Sequence, residues 1–272
     1  MDLAPLQLMV YAAIGAVIGF FSGLLGIGGG AVQTPLTVLA FEAHGLPREH
    51  IAHIAVATGV TSIAFTAAAS TLAHHRHRAV DWALLKLLMP GLIVGGFAGG
   101  YVAQLLPTAW LAIVLASFVG YASLAMAFDL RPAPHRSLPG AAGLALLGGI
   151  IGMMSTLVGA GGAVMLVPAL AWFNVPFHRA IGTGAAIGLP IAFTGTIAHA
   201  LGGLGQEGLP PGSVGFVWLP ALVPFVIASM LLAPLGARLA HRVPARTLRR
   251  AFAATMLLLA LRMAWSLARG ST

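Results

Sequence analysis

The chain has 272 residues, 59% of them hydrophobic and only 7% charged, with 14 Lys and Arg against 6 Asp and Glu. A soluble domain carries about 25% charged residues, so a water-facing globular surface is excluded. The net charge of +8 reads as basic loops that fix membrane orientation, not as a nucleic-acid face. With no cysteine in the chain, disulfides, thiol catalysis and cysteine-ligated metals are excluded as well.

The first apolar run is 7–25. The residues before it carry no basic leader and no small-residue cleavage site, so it reads as a membrane segment and not as a removable signal. It runs into GLLGIGGGAVQTP (23–35), a glycine-rich break, and then into a shorter apolar piece over 30–42. Longer runs follow over 51–73, 83–106 and 108–128, then 140–158, a second short piece 162–173, and 178–201, 214–241 and 246–268. Most of the long runs reach or approach the ~20 residues that cross a bilayer. The polar breaks between them are EAHGLPREH, HHRHRAVD, LPTA, DLRPAPHRS, GLGQEGLPPGS and HRVPARTLRR.

The two halves resemble each other. GIGGGAVQTP (26–35) aligns with GAGGAVMLVP (159–168), and HIAVATG (53–59) with HRAIGTG (178–184). LPTAWL (106–111) aligns with VPARTL (243–248), and LAMAF (124–128) with LRMAW (261–265). Four matches in one order predict an internal repeat, with a first unit over 1–128, a cytoplasmic linker over 129–139 and a second unit over 140–272. Charge predicts its sense. HHRHR in the first half is basic while its counterpart GLGQEGLPPGS is neutral to acidic, so equivalent loops belong on opposite sides of the membrane. That requires an odd number of crossings per unit, with each glycine break turning a segment back as a hairpin. Placing the N-terminus outside puts eleven of the fourteen basic residues inside, the exceptions being Arg48, Arg262 and Arg269. The expected fold is an all-α polytopic membrane protein of two inverted repeats, each a glycine-broken helix hairpin plus three spanning helices.

Backbone leaves the helix at membrane depth only where it is buried in protein or lines a polar cavity. Secondary transporters use this, pairing broken helices near the midplane. Gly28, Gly29 and Gly30 pair by repeat with Gly161, Gly162 and Ala163, and exposed backbone N–H groups at a helix start suit an anion. Gln33 and Thr34 follow the first break, where the second half has Leu166 and Val167. Thr58 and Thr183, followed by Gly59 and Gly184, are the other repeated polar element; their hydroxyls either face an anion or bond their own helix backbone. Thr61, Ser62 and Thr194 are weaker candidates. Gly91, Gly95 and Gly99 lie four apart and predict a packing seam. His53 and His178 fall near helix starts and are expected to face water, while His199 lies within a segment. The cluster His74, His75, Arg76, His77 and Arg78 reads as a basic loop against anionic lipid heads. No Asp or Glu falls in the middle of a membrane segment, and no catalytic constellation, metal site or cofactor motif is apparent. The partners expected are a small anion and the lipid bilayer, with no nucleic acid, and the pattern is compatible with a homodimer.

GLLGIGGGAVQTP followed by HIAVATGVTS, and LVGAGGAVMLVPAL followed by HRAIGTG, resemble the duplicated signature of the TauE/SafE family of sulfite exporters. The likeness runs over nearly the whole chain. It implies transport of sulfite, small organosulfonates or related sulfur oxyanions across the bacterial inner membrane, some relatives being exporters and others assigned to uptake. Export by alternating access, with the anion between the two glycine breaks, is the mechanism expected of this chain. By that resemblance the glycine-rich segments map to Gly26, Gly28, Gly29, Gly30, Gly159, Gly161 and Gly162, and the polar positions to Thr58 and Thr183. Ala163 stands where a third glycine is common, and Ala185 follows the second Thr-Gly pair. The alternatives are a carrier for another small anion such as a carboxylate, an anion channel, and a scaffold that transports nothing.

Overall fold

The computed structural model describes residues 5–25, 30–46, 48–127 and 137–240, with short helical pieces at 253–254, 257–262 and 264–265. Nine helices run in chain order through the main described segments: α1 Pro5–Leu25, α2 Gly30–Ala43, α3 Ile51–Arg76, α4 Trp82–Leu105, α5 Thr108–Ala127, α6 Ala141–Val158, α7 Ala163–Trp172, α8 Phe177–Gly202 and α9 Leu219–Ala240. Seven of them are long and apolar enough to cross a bilayer; α2 and α7, at 14 and 10 residues, are not. At 1.5 Å per residue those two reach only about 21 and 15 Å against a ~30 Å hydrocarbon core. The protein is an all-α, multi-pass membrane protein.

The boundaries follow local chemistry. The Asp81 carboxylate caps α4, accepting from the Leu84 N–H at 3.0 Å. Gly159 ends α6 in the left-handed conformation, at φ +68°, and its N–H reaches the Ser155 carbonyl. A two-stranded hairpin, β1 Ser213–Val214 and β2 Val217–Trp218, precedes α9. The sequence expectation ran the membrane segment from 214. The structure starts the helix five residues later, because Gly212 and Gly215 turn with φ +83° and +55° and the chain folds back on itself.

Two ends of the bundle can be told apart by contacts. At the first end, His53 Nε2 lies 3.1 Å from the Ala103 and Leu106 carbonyls, the Thr108 hydroxyl bonds the Glu49 carbonyl, and Phe216 stacks on His53. Loops 44–50, 106–108 and 203–218 therefore share that end. At the second end, Asp81 meets Arg179 at 4.0 Å. Exposed as it is, that ion pair contributes little, but it places the start of α8 beside the end of α3. α3 and α8 thus run antiparallel, with Thr61 meeting Thr196 at 3.1 Å between them.

Each glycine-broken segment returns to the end it came from. Tyr11 near the start of α1 hydrogen-bonds His44 just beyond α2, and its ring meets Phe41, Trp218 and Phe225 edge-on. α6 runs parallel to α4 from the second end, and α7 returns to that end, where α8 begins.

Close packing in the two halves matches position by position. Gly15 and Gly19 of α1 press on the Phe225 and Ser229 backbone of α9; Gly148 and Gly152 of α6 press on the Leu88 and Leu92 backbone of α4. The offset is 133 residues on one partner and 137 on the other. Gly91, Gly95 and Gly99 lie against the backbone of Ala145, Gly149 and Met153, the seam their spacing predicts. Lipid supplies no hydrophobic drive between such helices, so small residues gain stability by letting backbones approach.

Candidate functional site

The two threonines singled out by the repeat make equivalent bonds. The Thr58 hydroxyl accepts from the Trp218 N–H at 3.0 Å, and the Thr183 hydroxyl accepts from the Asp81 N–H at 3.0 Å. Each is fully buried, and each joins one long central helix to the start of the spanning helix that follows the other: Thr58 on α3 to α9, Thr183 on α8 to α4. Neither alternative read from sequence anticipates this: the hydroxyls serve as acceptors for a neighbouring helix start. Thr61 and Thr194 do bond their own i−4 carbonyls, those of Ala57 and Pro190, at 2.8 Å. Because α3 and α8 are antiparallel, Thr58 and Thr183 sit toward opposite ends of the pair, roughly 20 Å apart along the axis.

What the structure brings together is the region after the first break and the second break itself. Thr34 on α2 donates to the Gly159 carbonyl at 3.0 Å, so the two interrupted segments touch. Gln33, one residue earlier, donates from Nε2 to the Ser62 hydroxyl, which donates in turn to the Gly59 carbonyl at 2.9 Å. Gly59 lets α2 come close: a Cβ at that position would sit 3.3 Å from Thr34 Oγ1, which would have to give by a few tenths of an ångström. At Gly159 a Cβ would lie 2.6 Å from the same oxygen, and the positive φ independently favours glycine. Gln33, Thr34 and Ser62 are all buried, yet Gln33 Oε1 has no hydrogen-bond partner.

The remaining predicted positions divide. Gly30 is the first residue of α2 and Gly162 the N-cap of α7, so both stand at helix starts. Gly161 accepts from the Val164 N–H at 3.3 Å in the connecting turn. Gly184 faces α7, where a Cβ would lie 3.0 Å from Ala163 and 3.3 Å from Val167, the repeat counterpart of the Gly59–Thr34 approach. Gly28 and Gly29 lie outside the described residues, as do most of the linker and most of segment 246–268. His178 is exposed as expected. His53 is not: it is 5% exposed and held by carbonyls, because Ala103 and Leu106 at the end of α4 close over it.

A family model described as sulfite exporter TauE/SafE matches residues 11–263. The chain belongs to the TauE/SafE family. Its relatives include a probable membrane transporter protein of Haemophilus influenzae, 28% identical over 251 residues covering 92% of this chain and 95% of the relative. The probable membrane transporter protein YunE of Bacillus subtilis is 24% identical, covering 80% and 84%. A probable membrane transporter protein of Methanocaldococcus jannaschii is 24% identical, covering 90% of each chain. No solved structure matches significantly. Family membership and these relatives identify a membrane transporter.

Within this TauE/SafE protein, sequence reasoning overlooked Ser155 and Thr156, on the last turn of α6. Both hydroxyls are buried without a hydrogen-bond partner. Their repeat counterparts, Ser22 and Gly23, share only the serine. The readable signal was a polar pair immediately before a glycine break in an otherwise apolar helix.

Proposed function

We propose that this protein is a secondary transporter for sulfite or small organosulfonates, residing in a bacterial inner membrane and exporting its substrate by alternating access between two inverted repeats. The observation that carries the reading is the meeting of the two broken segments, Thr34 on the Gly159 carbonyl, beside the buried Gln33 amide, whose Nε2 keeps one N–H beyond the one given to Ser62. Helix starts at Gly30 and Gly162 direct N–H groups and partial positive charge toward the breaks, which suits a compact oxyanion. The sulfur chemistry comes from family membership alone.

Inversion of the repeats is supported by the course of α3 and α8. They are repeat equivalents, and they run antiparallel. The two exposed loops that follow them, around His77 and Glu207, accordingly belong on opposite faces. The chain has no cysteine, so H77C and E207C provide clean probes. In intact cells a membrane-impermeant maleimide is expected to label E207C and to reach H77C only after permeabilisation. Labelling of both from one side removes the inverted arrangement.

The substrate is tested by thermal stabilisation of the purified protein. A ligand bound to the folded state raises stability by RT ln(1 + [L]/Kd), about 2.7 kcal/mol at a hundredfold excess over Kd. Sulfite or an organosulfonate is expected to raise Tm where sulfate and acetate do not. Stabilisation by acetate alone moves the assignment to a carboxylate carrier.

A further inference from the structure

Moving an anion against its electrochemical gradient requires a coupled ion, and the described residues include few groups able to carry a proton through the interior. All six acids lie near segment ends or in loops: Asp2, Glu42, Glu49, Asp81, Asp129 and Glu207. Among the described residues the buried histidines are His53 and His199; His53 has Nε2 held by the Ala103 and Leu106 carbonyls and Nδ1 against the Thr108 hydroxyl oxygen at 3.2 Å.

His199 on α8 differs. It is completely buried, and its Nε2 lies 3.3 Å from the Thr156 carbonyl. A carbonyl only accepts, so Nε2 carries the hydrogen and the neutral ring presents Nδ1 as a bare acceptor. Nδ1 is buried with no partner. The Thr156 and Ser155 hydroxyls, also unpartnered, stand on the same turn, three and four residues before Gly159. The ring is therefore tied to the helix end that forms the second break.

Among the described residues no fixed counter-charge is at hand. α6 contains no ionisable side chain, and the hairpin segment offers only the exposed Glu207. On α4, which meets this region through Gly96 and Gly100, Tyr101 points outward at 63% exposure and Asp81 and Lys86 lie several turns away. From α3 the facing group is His53, a like charge when protonated. An imidazolium buried without a partner is strongly disfavoured. Proton uptake at this ring becomes favourable only when a negative charge occupies the adjoining break.

We propose that His199 is the proton-binding site that couples proton movement to anion movement, with Nδ1 the atom that takes the proton. The inference rests on the reading of the protein as an anion carrier. A proton from water at one face forms the Nδ1–H bond while the anion is bound, and that bond breaks when both leave at the other face, so net movement is outward when the combined gradient of proton and anion points out and inward when it points in. No electrons are exchanged and the anion is unchanged. Each ligand raises the affinity of the other by the same factor.

The test uses proteoliposomes and methanesulfonate, a permanently ionised sulfonate, so that the proton cannot ride on the substrate. In the wild type, a pH gradient is expected to drive at least tenfold accumulation of labelled methanesulfonate, with matching proton flux reported by an entrapped dye. H199Q is expected to lose gradient-driven accumulation while still showing measurable sulfonate exchange, which moves no net proton. Accumulation by H199Q equal to wild type, or wild-type accumulation indifferent to the gradient, overturns the proposal. Absence of any sulfur-anion exchange in the wild type is instead the failure of the carrier reading. In that event nitrogen NMR of labelled histidine, with the His199 resonance identified by its loss in H199Q, still decides the site. A neutral Nε2–H ring with a free Nδ1 at pH 7.5 supports the acceptor; a protonated or hydrogen-bonded Nδ1 overturns it.

Discussion

Replacing Gly95 with alanine is expected to lower the thermal stability of the purified protein, and G95V is expected to leave little folded protein. A Cβ at Gly95 would lie 2.8 Å from the Gly149 carbonyl carbon and 2.9 Å from its Cα. Those atoms are backbone and cannot rotate away, so the helices must separate along their length. Overpacking of this kind costs about 1–3 kcal/mol in a well-packed core, and here separation also forfeits the dispersion that joins helices in lipid. G19A, on the corresponding seam of α1 with α9, is expected to behave alike, since its Cβ would approach Ser229 Cα to 2.5 Å. G120A is the control: among the described residues its Cβ meets only the Ala260 methyl, at 3.9 Å. Thermal unfolding followed by size-exclusion reads all of these, and equal Tm values for G95A and G120A would rule out the seam as a principal support.

Legibility of this protein from its sequence varied with the range of the interaction responsible. Span ends came within a few residues because hydropathy and punctuation are local: 51–73 became Ile51–Arg76, and 108–128 became Thr108–Ala127. The short second members of the broken segments were visible as glycine runs followed by apolar stretches too brief to cross. The partner choices were not visible. Nothing in HIAVATG says that Thr58 accepts from Trp218, 160 residues on, although the same threonine in the second copy makes the same bond with Asp81. The hairpin at 213–218 escaped because strands of two residues carry no periodicity. His53 looked like a helix-start residue facing water because its cover, the end of α4, is fifty residues away in the chain.

The repeat also shows where the halves diverge, and divergence at the centre separates function from scaffold. Gln33 and Ser62 are joined by a buried hydrogen bond. Their repeat counterparts, at offsets 133 and 125, are Leu166 and Ile187, members of one apolar cluster and wholly buried. The same fold therefore accommodates an apolar pair at this place. Replacing a buried polar pair by apolar groups of similar size is close to neutral, whereas removing one partner is costly. Gln33 additionally carries a buried, unpartnered oxygen, a liability that an apolar side chain removes.

The double variant Q33L/S62I, which gives the first half the residues of the second, is thus expected to fold with a Tm equal to or above wild type. Flux is expected to move the other way. Gln33 Nε2 keeps a second N–H beyond the one it gives to Ser62, which fixes the amide beside the junction of the breaks, and a desolvated anion leaves its hydration shell only if such donors replace it. Losing even one charge-assisted bond of 1.5–3 kcal/mol lowers affinity by about ten- to a hundredfold. Sulfite uptake into proteoliposomes should fall by at least that factor in Q33L/S62I. Wild-type flux in a stable double variant would dissociate Gln33 and Ser62 from the transport path. A fall in Tm matching the loss of flux would make the pair a structural element, and the site would then have to be sought among backbone N–H groups alone.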